Sequence, residues 1–195
     1  MIIHDIDQHS PEWYQVRLGI PTASRFKDIY TSTGKASASA DAYMHTLLAE
    51  ELAGKPLESF ESDWMRRGTE LEPSARAFYE LRQNVELEVV GFVTNDEKTA
   101  GCSPDAMGLE LKCPAPHTHV KYLLGGKCPA EYFPQVQGCI WICERDWWDF
   151  MSYHPDLPPF IIRVERDESY IKGLSAEIDK FLAKMDKQRQ RLKAA

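Results

Sequence analysis

The chain has 195 residues, 43% of them hydrophobic and 11% aromatic, which suits one compact domain spanning 1–195 with a sizeable core. Charged residues make up 27%, no apolar run approaches the ~18 residues of a membrane span, and Met1-Ile2-Ile3-His4-Asp5 lacks the features of a secretory signal, so a cytoplasmic protein without membrane contact is expected. The formal charge of −7 argues against a protein that coats DNA by general basicity, but it is compatible with an acidic metal site and a basic channel on one face.

In chain order, Ser10-Pro11-Glu12 opens a short helix that stops at Gly19, and Pro21-Thr22-Ala23-Ser24 begins a second. Residues 31–37 read as a polar loop. From Asp41, the residues Tyr43, Met44, Leu47, Leu48 and Leu52 recur at helical spacing until Gly54, with Pro56 beyond. A further helix over 63–82 is expected to break, because Gly68 and Pro73 lie inside it and a fresh start at Thr69 would put Pro73 in a first turn. Three neighbouring strands are predicted at 85–94, 99–103 and 109–113, with a tight turn near Met107-Gly108. A helix over 130–143, strands at 147–153 and 160–164, and a helix over 168–192 complete the order, which predicts an α/β fold with a mixed central sheet flanked by helices. The five cysteines form no C-x-x-C pair and read as free thiols.

Chemistry concentrates in Ser103-Pro104-Asp105-Ala106-Met107-Gly108-Leu109-Glu110-Leu111-Lys112. Strand alternation puts Glu110 and Lys112 on one face and Leu109, Leu111 and Cys113 on the other, so the apolar face packs and the charged face is left to work. A turn at Gly108 would bring Asp105 beside Glu110. Two carboxylates that close repel unless a cation lies between them, and oxygen donors of this kind suit magnesium. An ion held there would orient a water and neutralise charge growing on a phosphate, with Lys112 positioning that water. The competing reading is an exposed Glu110–Lys112 pair with Asp105 as a turn residue.

These residues resemble the PD-(D/E)XK nuclease superfamily, whose members share a restriction-endonuclease-like core, and more narrowly the bacteriophage lambda-type exonucleases, or YqaJ-like viral recombinases. The resemblance covers most of the chain. It runs through Trp13-x3-Arg17-Leu18-Gly19-x2-Thr22-Ala23-Ser24, His45 to Glu50, Gly68 with Glu72, Ala75 and Arg76, Cys102 to Asp105, Gly108 to Pro114, Gln135-Val136-Gln137 and Glu165 to Tyr170.

The resemblance implies Asp105, Glu110 and the Leu111 carbonyl as ligands of Mg2+ or Mn2+, with Glu72 completing the site directly or through water. It implies Lys112 as the water-positioning residue and Gln137 as a glutamine beside the active site. The alternative for Glu72 is a capping box with Thr69; for Gln137 it is a polar surface residue, a part that Gln135 would fill equally well. Arg17, Ser24 and Ser103 resemble a pocket for the 5′ phosphate of a strand end, where a guanidinium meets phosphate oxygens two at a time; the alternative for Arg17 is a surface salt bridge. Met65 stands where the family carries an apolar wedge, Trp64 beside it is suited to base stacking, and Arg66 and Arg67 to phosphate contacts; the alternative for Trp64 and Met65 is core. The loop over 31–40 offers only Lys35 where relatives place further basic contacts.

The implied activity is 5′-to-3′ digestion of linear double-stranded DNA ends by a ring-shaped homotrimer, leaving a 3′ single strand for a partner annealing protein, in a phage or prophage setting. Two rivals stand beside it: a structure-selective or restriction-type endonuclease of the same superfamily, and a catalytically silent DNA-end-binding module.

Overall fold

The architecture comes from a computed structural model that describes residues 1–57 and 63–194. Strand β1 (Ile2–His4) is followed by helix α1 (Pro11–Arg17), a 3-10 helix (Ala23–Asp28), α2 (Ala40–Ala53) and α3 (Asp63–Gln83). Then come β2 (Phe92–Thr94), β3 (Gly101–Cys102), β4 (Leu109–Lys112), α4 (Pro116–Gly125), α5 (Phe133–Ile142), β5 (Trp147–Ser152), β6 (Phe160–Glu165) and α6 (Glu168–Lys193). Local chemistry sets several ends. Ser10 Oγ accepts from Trp13 N at 3.1 Å to cap α1, Asp167 Oδ1 accepts from Tyr170 N at 2.9 Å to cap α6, and Gly54 closes α2 at a left-handed φ of 64°.

The fold is α/β with helices flanking mixed strands, as expected, but the strands divide into two three-stranded sheets where one was predicted. Strands β1, β2 and β3 form an antiparallel sheet, and β4 leaves it to pair in parallel with β5, which pairs antiparallel with β6. Two local features detach β4. Pro104 has no N–H to give a ladder, and Gly108 at φ 83° turns the chain so that only Ala106 and Leu109 bridge. The parallel β4–β5 pair is joined through α4 and α5, the crossover such strands require.

Two further expectations change. Helix α3 runs unbroken through Gly68 and Pro73, because Ala75 and Tyr79 are buried against Leu109, Leu111 and Met151 and this packing offsets the ~3 kcal/mol an interior proline costs. Thr69 is therefore inside a helix, and the capping-box alternative for Glu72 falls with the break. The sequence reading also has neither β1 nor α4, whose Pro116-His117-Thr118-His119 opening lacks an apolar repeat; α4 is held by buried His119, which bonds Ser152 Oγ at 2.7 Å and the Pro158 carbonyl at 2.8 Å.

The β4–β5–β6 sheet separates two cores. Trp148 and Phe150 face the larger one, with α2, α5 and α6, while Leu109, Leu111 and Met151 face the smaller one under α3. Glu110 is paired in register with Phe150, so its side chain enters the α5 side of the sheet and is only 1% exposed. Both faces of β4 are thus packed, as parallel strands usually are, in place of the free charged face predicted. The cysteines are free, and Cys102, Cys139 and Cys143 are buried between β3 and α5, with the Cys102 and Cys143 sulfurs 3.6 Å apart. Among the described residues no helix is long and apolar enough to cross a membrane.

Candidate active site

Strand β4 sets the centre of the site. Glu110 Oε1 is ion-paired with Lys112 Nζ, two residues along the same strand face, and accepts from Gln135 Nε2 of α5 at 2.6 Å. Lys112 also lies 5.3 Å from the centroid of the Tyr132 ring. Burial pushes the Glu110 carboxyl up to about 7; Lys112 opposes the rise, and Asp105 and Glu72 add to it. Burial pulls Lys112 down, but the Glu110 and Asp105 carboxylates outweigh it and hold the ammonium above the ordinary lysine value.

Asp105 belongs to the loop between β3 and β4 rather than to a strand. Its Oδ2 accepts from Leu111 N at 2.5 Å, which places the carboxylate against the open edge of β4. Gly108 and Lys112 give their carbonyls to Asp149 N and Tyr153 N of the neighbouring chain segment. In the alternation of a parallel ladder, Leu111 therefore turns its own backbone groups away from β5 and toward the side where Asp105 sits. Burial raises the Asp105 carboxyl as well, against Lys112, the Leu111 N–H and Arg76. Glu72 reaches the group from α3; burial and then Asp105 raise it, while Arg76, one helical turn on, and Lys112 lower it.

Arg17 and Ser103 meet beside this cluster. Arg17 Nη1 donates to Ser103 Oγ at 2.8 Å, Trp13 Nε1 donates to the same oxygen at 2.9 Å, and the guanidinium lies 3.9 Å from the centroid of the Trp13 ring. Among the described residues no carboxylate pairs with Arg17 at ion-pair distance, so the salt-bridge alternative has no support. Burial lowers its pKa, as expected of a cation without a close counter-charge. A cavity of about 220 Å³ carries Arg17, Ser24 and Ser103 on its wall together with Glu72, Asp105 and Gln135. Asp105 and Glu72 thus share one space with Arg17, Ser24 and Ser103, while Glu110 and Lys112 do not line it.

Three placements differ from expectation or extend it. Gln137 is fully buried away from the cluster, its Nε2 donating to the Glu165 carbonyl at 2.8 Å and its Oε1 accepting from Asp167 N at 3.0 Å, so it ties β6 to the start of α6. The glutamine beside Glu110 is Gln135. Trp64 is 52% exposed and therefore not core; Arg66 is exposed, and Arg67 is half-buried with its guanidinium 5.7 Å from the Trp64 ring and Nη2 3.4 Å from His154 Nε2. The side chain of Met65 lies outside the described residues. Gln8 and His9 on the cavity wall were not anticipated: Gln8 Nε2 donates to the Pro104 carbonyl at 2.8 Å, fixing the residue before Asp105, and His9 packs 5.0 Å from Trp13 at a positive φ of 67°. The Gln8-His9-Ser10 string carries no spacing signal that would single it out.

The donor set suits a hard divalent cation. Asp105 raises the pKa of both Glu72 and Glu110, and Glu72 adds to the rise of Glu110, a repulsion that a bound cation relieves. Among the described residues no three His, Cys, Asp or Glu side chains converge closely enough to hold a metal by themselves. A fitting ligand set consequently draws on the Leu111 carbonyl and on water, as magnesium commonly does.

The YqaJ-like viral recombinase domain matches residues 12–146. The crystal structure of LHK-Exo, an alkaline exonuclease from Laribacter hongkongensis, superposes with a TM-score of 0.86 at 35% identity over 95% of this chain and 97% of that one. LHK-Exo in complex with dAMP superposes equally closely, with a TM-score of 0.85. A phage-related exonuclease from Haemophilus somnus 129PT shares the fold with a TM-score of 0.68 at 16% identity, covering 89% of this chain and 96% of that one. Among curated sequences, an uncharacterized protein of Acanthamoeba polyphaga mimivirus is 26% identical over 170 residues, 77% of this chain but 30% of its own length. The uncharacterized Escherichia coli (strain K12) protein ExoD is 31% identical over 72 residues, 34% of this chain and 83% of its own.

Proposed function

Since the chain belongs to the YqaJ-like viral recombinase family, we propose that it is a magnesium-dependent exonuclease that digests one strand of linear double-stranded DNA from its 5′ end. The observation that carries this reading is the shared cavity, lined by Arg17 and Ser103 together with Asp105 and Glu72. A terminal phosphate gripped by Arg17, Ser24 and Ser103 sets the next phosphodiester before the carboxylates, which explains a preference for strand ends over interior positions.

A divalent ion held by Asp105, Glu110, the Leu111 carbonyl and waters would supply an activated water and neutralise charge on the phosphate. Lys112, held protonated by its two carboxylate neighbours, orients that water and does not serve as its base. Gln135 and Lys112 together fix the rotamer of Glu110, so its position is set before substrate arrives. Arg76 moderates the charge on Glu72 and Asp105. Exposed Trp64 and Arg66 with Arg67 extend the contact surface toward the duplex.

The same reading includes a homotrimeric ring around DNA, a partner annealing protein that receives the 3′ single strand, manganese as a substitute ion, and the cytoplasm of a bacterial host as the place of action. A silent end-binding module is disfavoured because Glu72, Asp105, Glu110 and Lys112 are all present and lie together electrostatically. The test is digestion of 5′-phosphorylated linear duplex and of closed circular DNA with magnesium, native protein against Asp105→Ala. Only the native protein should degrade the linear DNA and neither should open the circle; a circle cut by the native protein would replace the exonuclease reading with an endonuclease one.

A further inference from the structure

Arg17 faces more than one space. On its other side a second cavity, of about 520 Å³, shares the Trp13, Arg17 and Ser24 wall with the site cavity and continues past Arg25, Tyr43 and Thr46. Its donors are preset. Arg17 is stacked on Trp13, and Arg25 lies 4.4 Å from the Tyr43 ring centroid with its Nε paired to Asp28. The Thr22 and Ser24 hydroxyls join them, Thr46 gives its hydroxyl to the Ala42 carbonyl at 3.1 Å, and Glu50 is the acidic residue on this wall, its Oε1 taken by Leu57 N at 3.3 Å. The rest of the wall is apolar: Leu18, Ile20, Leu47 and Pro56, with Tyr14 at 36% exposure. Two guanidiniums and hydroxyls beside rings and aliphatic carbon match the phosphate and the base of a nucleotide better than they match a chain of phosphates alone.

We propose that this second cavity takes one unpaired nucleotide on the 5′ side of the phosphate held by Arg17, so that the enzyme also begins on strands with a one-nucleotide 5′ overhang. The inference rests on the exonuclease reading. In this mode the phosphate held by Arg17 and Ser103 is an internal diester, and the first cut releases a dinucleotide. Water oxygen bonds to the next phosphorus, the bond from phosphorus to the 3′ oxygen of the dinucleotide breaks, and that oxygen leaves with a proton. The shortened strand keeps the phosphate as its new 5′ end and continues in single-nucleotide steps.

Three linear duplexes with magnesium test it: blunt with a 5′ phosphate, blunt with a 5′ hydroxyl, and a one-nucleotide 5′ overhang ending in a hydroxyl. The overhang should be cut at least about tenfold faster than the blunt hydroxyl end, in keeping with one stacked base, and its first product should be a dinucleotide. Arg25→Ala, on an exposed side chain, and Thr46→Phe, which fills the cavity, should each return the overhang rate to that of the blunt hydroxyl end and leave the blunt phosphate rate unchanged. An overhang cut as slowly as the blunt hydroxyl end, or one that first releases a nucleoside, overturns the proposal while cleavage of the blunt phosphate end keeps the exonuclease reading intact. Failure of the native protein on the blunt phosphate end overturns both.

Discussion

The two faces of the β4–β5–β6 sheet bury carboxylates in opposite ways. Under α3, Asp149 is 3% exposed and fully matched: Arg163 gives it two hydrogen bonds at 2.9 and 3.0 Å, and Tyr79 donates its hydroxyl at 2.7 Å. Arg163 in turn lies 3.5 Å from the centroid of the Trp147 ring, and Asp149 holds its pKa above the ordinary value. Beside α5, Glu110 is still more buried, yet among the described residues its single cationic partner, Lys112, is shared with Asp105, and Glu72 adds a third negative charge. A carboxylate with a complete set of partners is architecture; carboxylates left repelling one another hold the free energy that a cation and a phosphate can release.

Substitutions on either side should separate these roles. Asp105→Ala is expected to lower cleavage on the order of 10³-fold, the several kcal/mol a metal-held phosphate contributes, with the melting temperature unchanged or raised because a repulsive charge is gone. A large loss of stability in that variant would erase the contrast between the faces. Arg17→Ala should reduce the preference for a 5′ phosphate over a 5′ hydroxyl by about 10–100-fold, matching a charge-assisted contact of ~1.5–3 kcal/mol. If native protein cuts both ends equally, the pocket assignment is wrong. Asp149→Ala should do the reverse of Asp105→Ala. It leaves the Tyr79 hydroxyl without its acceptor and costs about 1–3 kcal/mol in urea unfolding, held to that range because Arg163 is half exposed, while activity per folded molecule stays near native.

A further effect is expected in pH. Glu110 is raised by burial from 4.5 to about 7, so the folded state holds its proton more tightly than the unfolded chain does. That contribution to stability is complete below about 4.5 and is lost as pH rises through about 7. Metal-free protein should accordingly lose melting temperature over this window, and the magnesium concentration for half-maximal activity should fall as the proton leaves. A magnesium requirement independent of pH across the same window would detach Glu110 from the ion.

The grouping of the candidate residues was more legible in the sequence than their surroundings. Asp105, Glu110 and Lys112 are legible because their spacing fits a turn and one strand face, and Arg17 because it stands in a long run of matching residues. The burial of Glu110 was not legible, since the partner that covers β4 is β5, reached only after two helices, and nothing local in Leu109-Glu110-Leu111-Lys112 distinguishes an open face from a covered one. The choice between Gln135 and Gln137 failed for a related reason. Helix α5 is buried at Pro134, Val136, Gln137, Gly138, Cys139, Ile140 and Ile142, so it has no polar stripe from which to read which glutamine meets β4. Pro73 misled as well, because the packing that carries α3 through it comes from strands distant in sequence.

A divalent ion is expected to bind where Asp105, Glu110 and the Leu111 carbonyl meet. Crystals grown with saturating manganese test it through anomalous scattering. A peak about 2.0–2.3 Å from oxygens of all three residues, absent in Asp105→Ala, is the predicted result. A native crystal with no peak there, its carboxylates still turned to Lys112 and the Leu111 N–H, would contradict it.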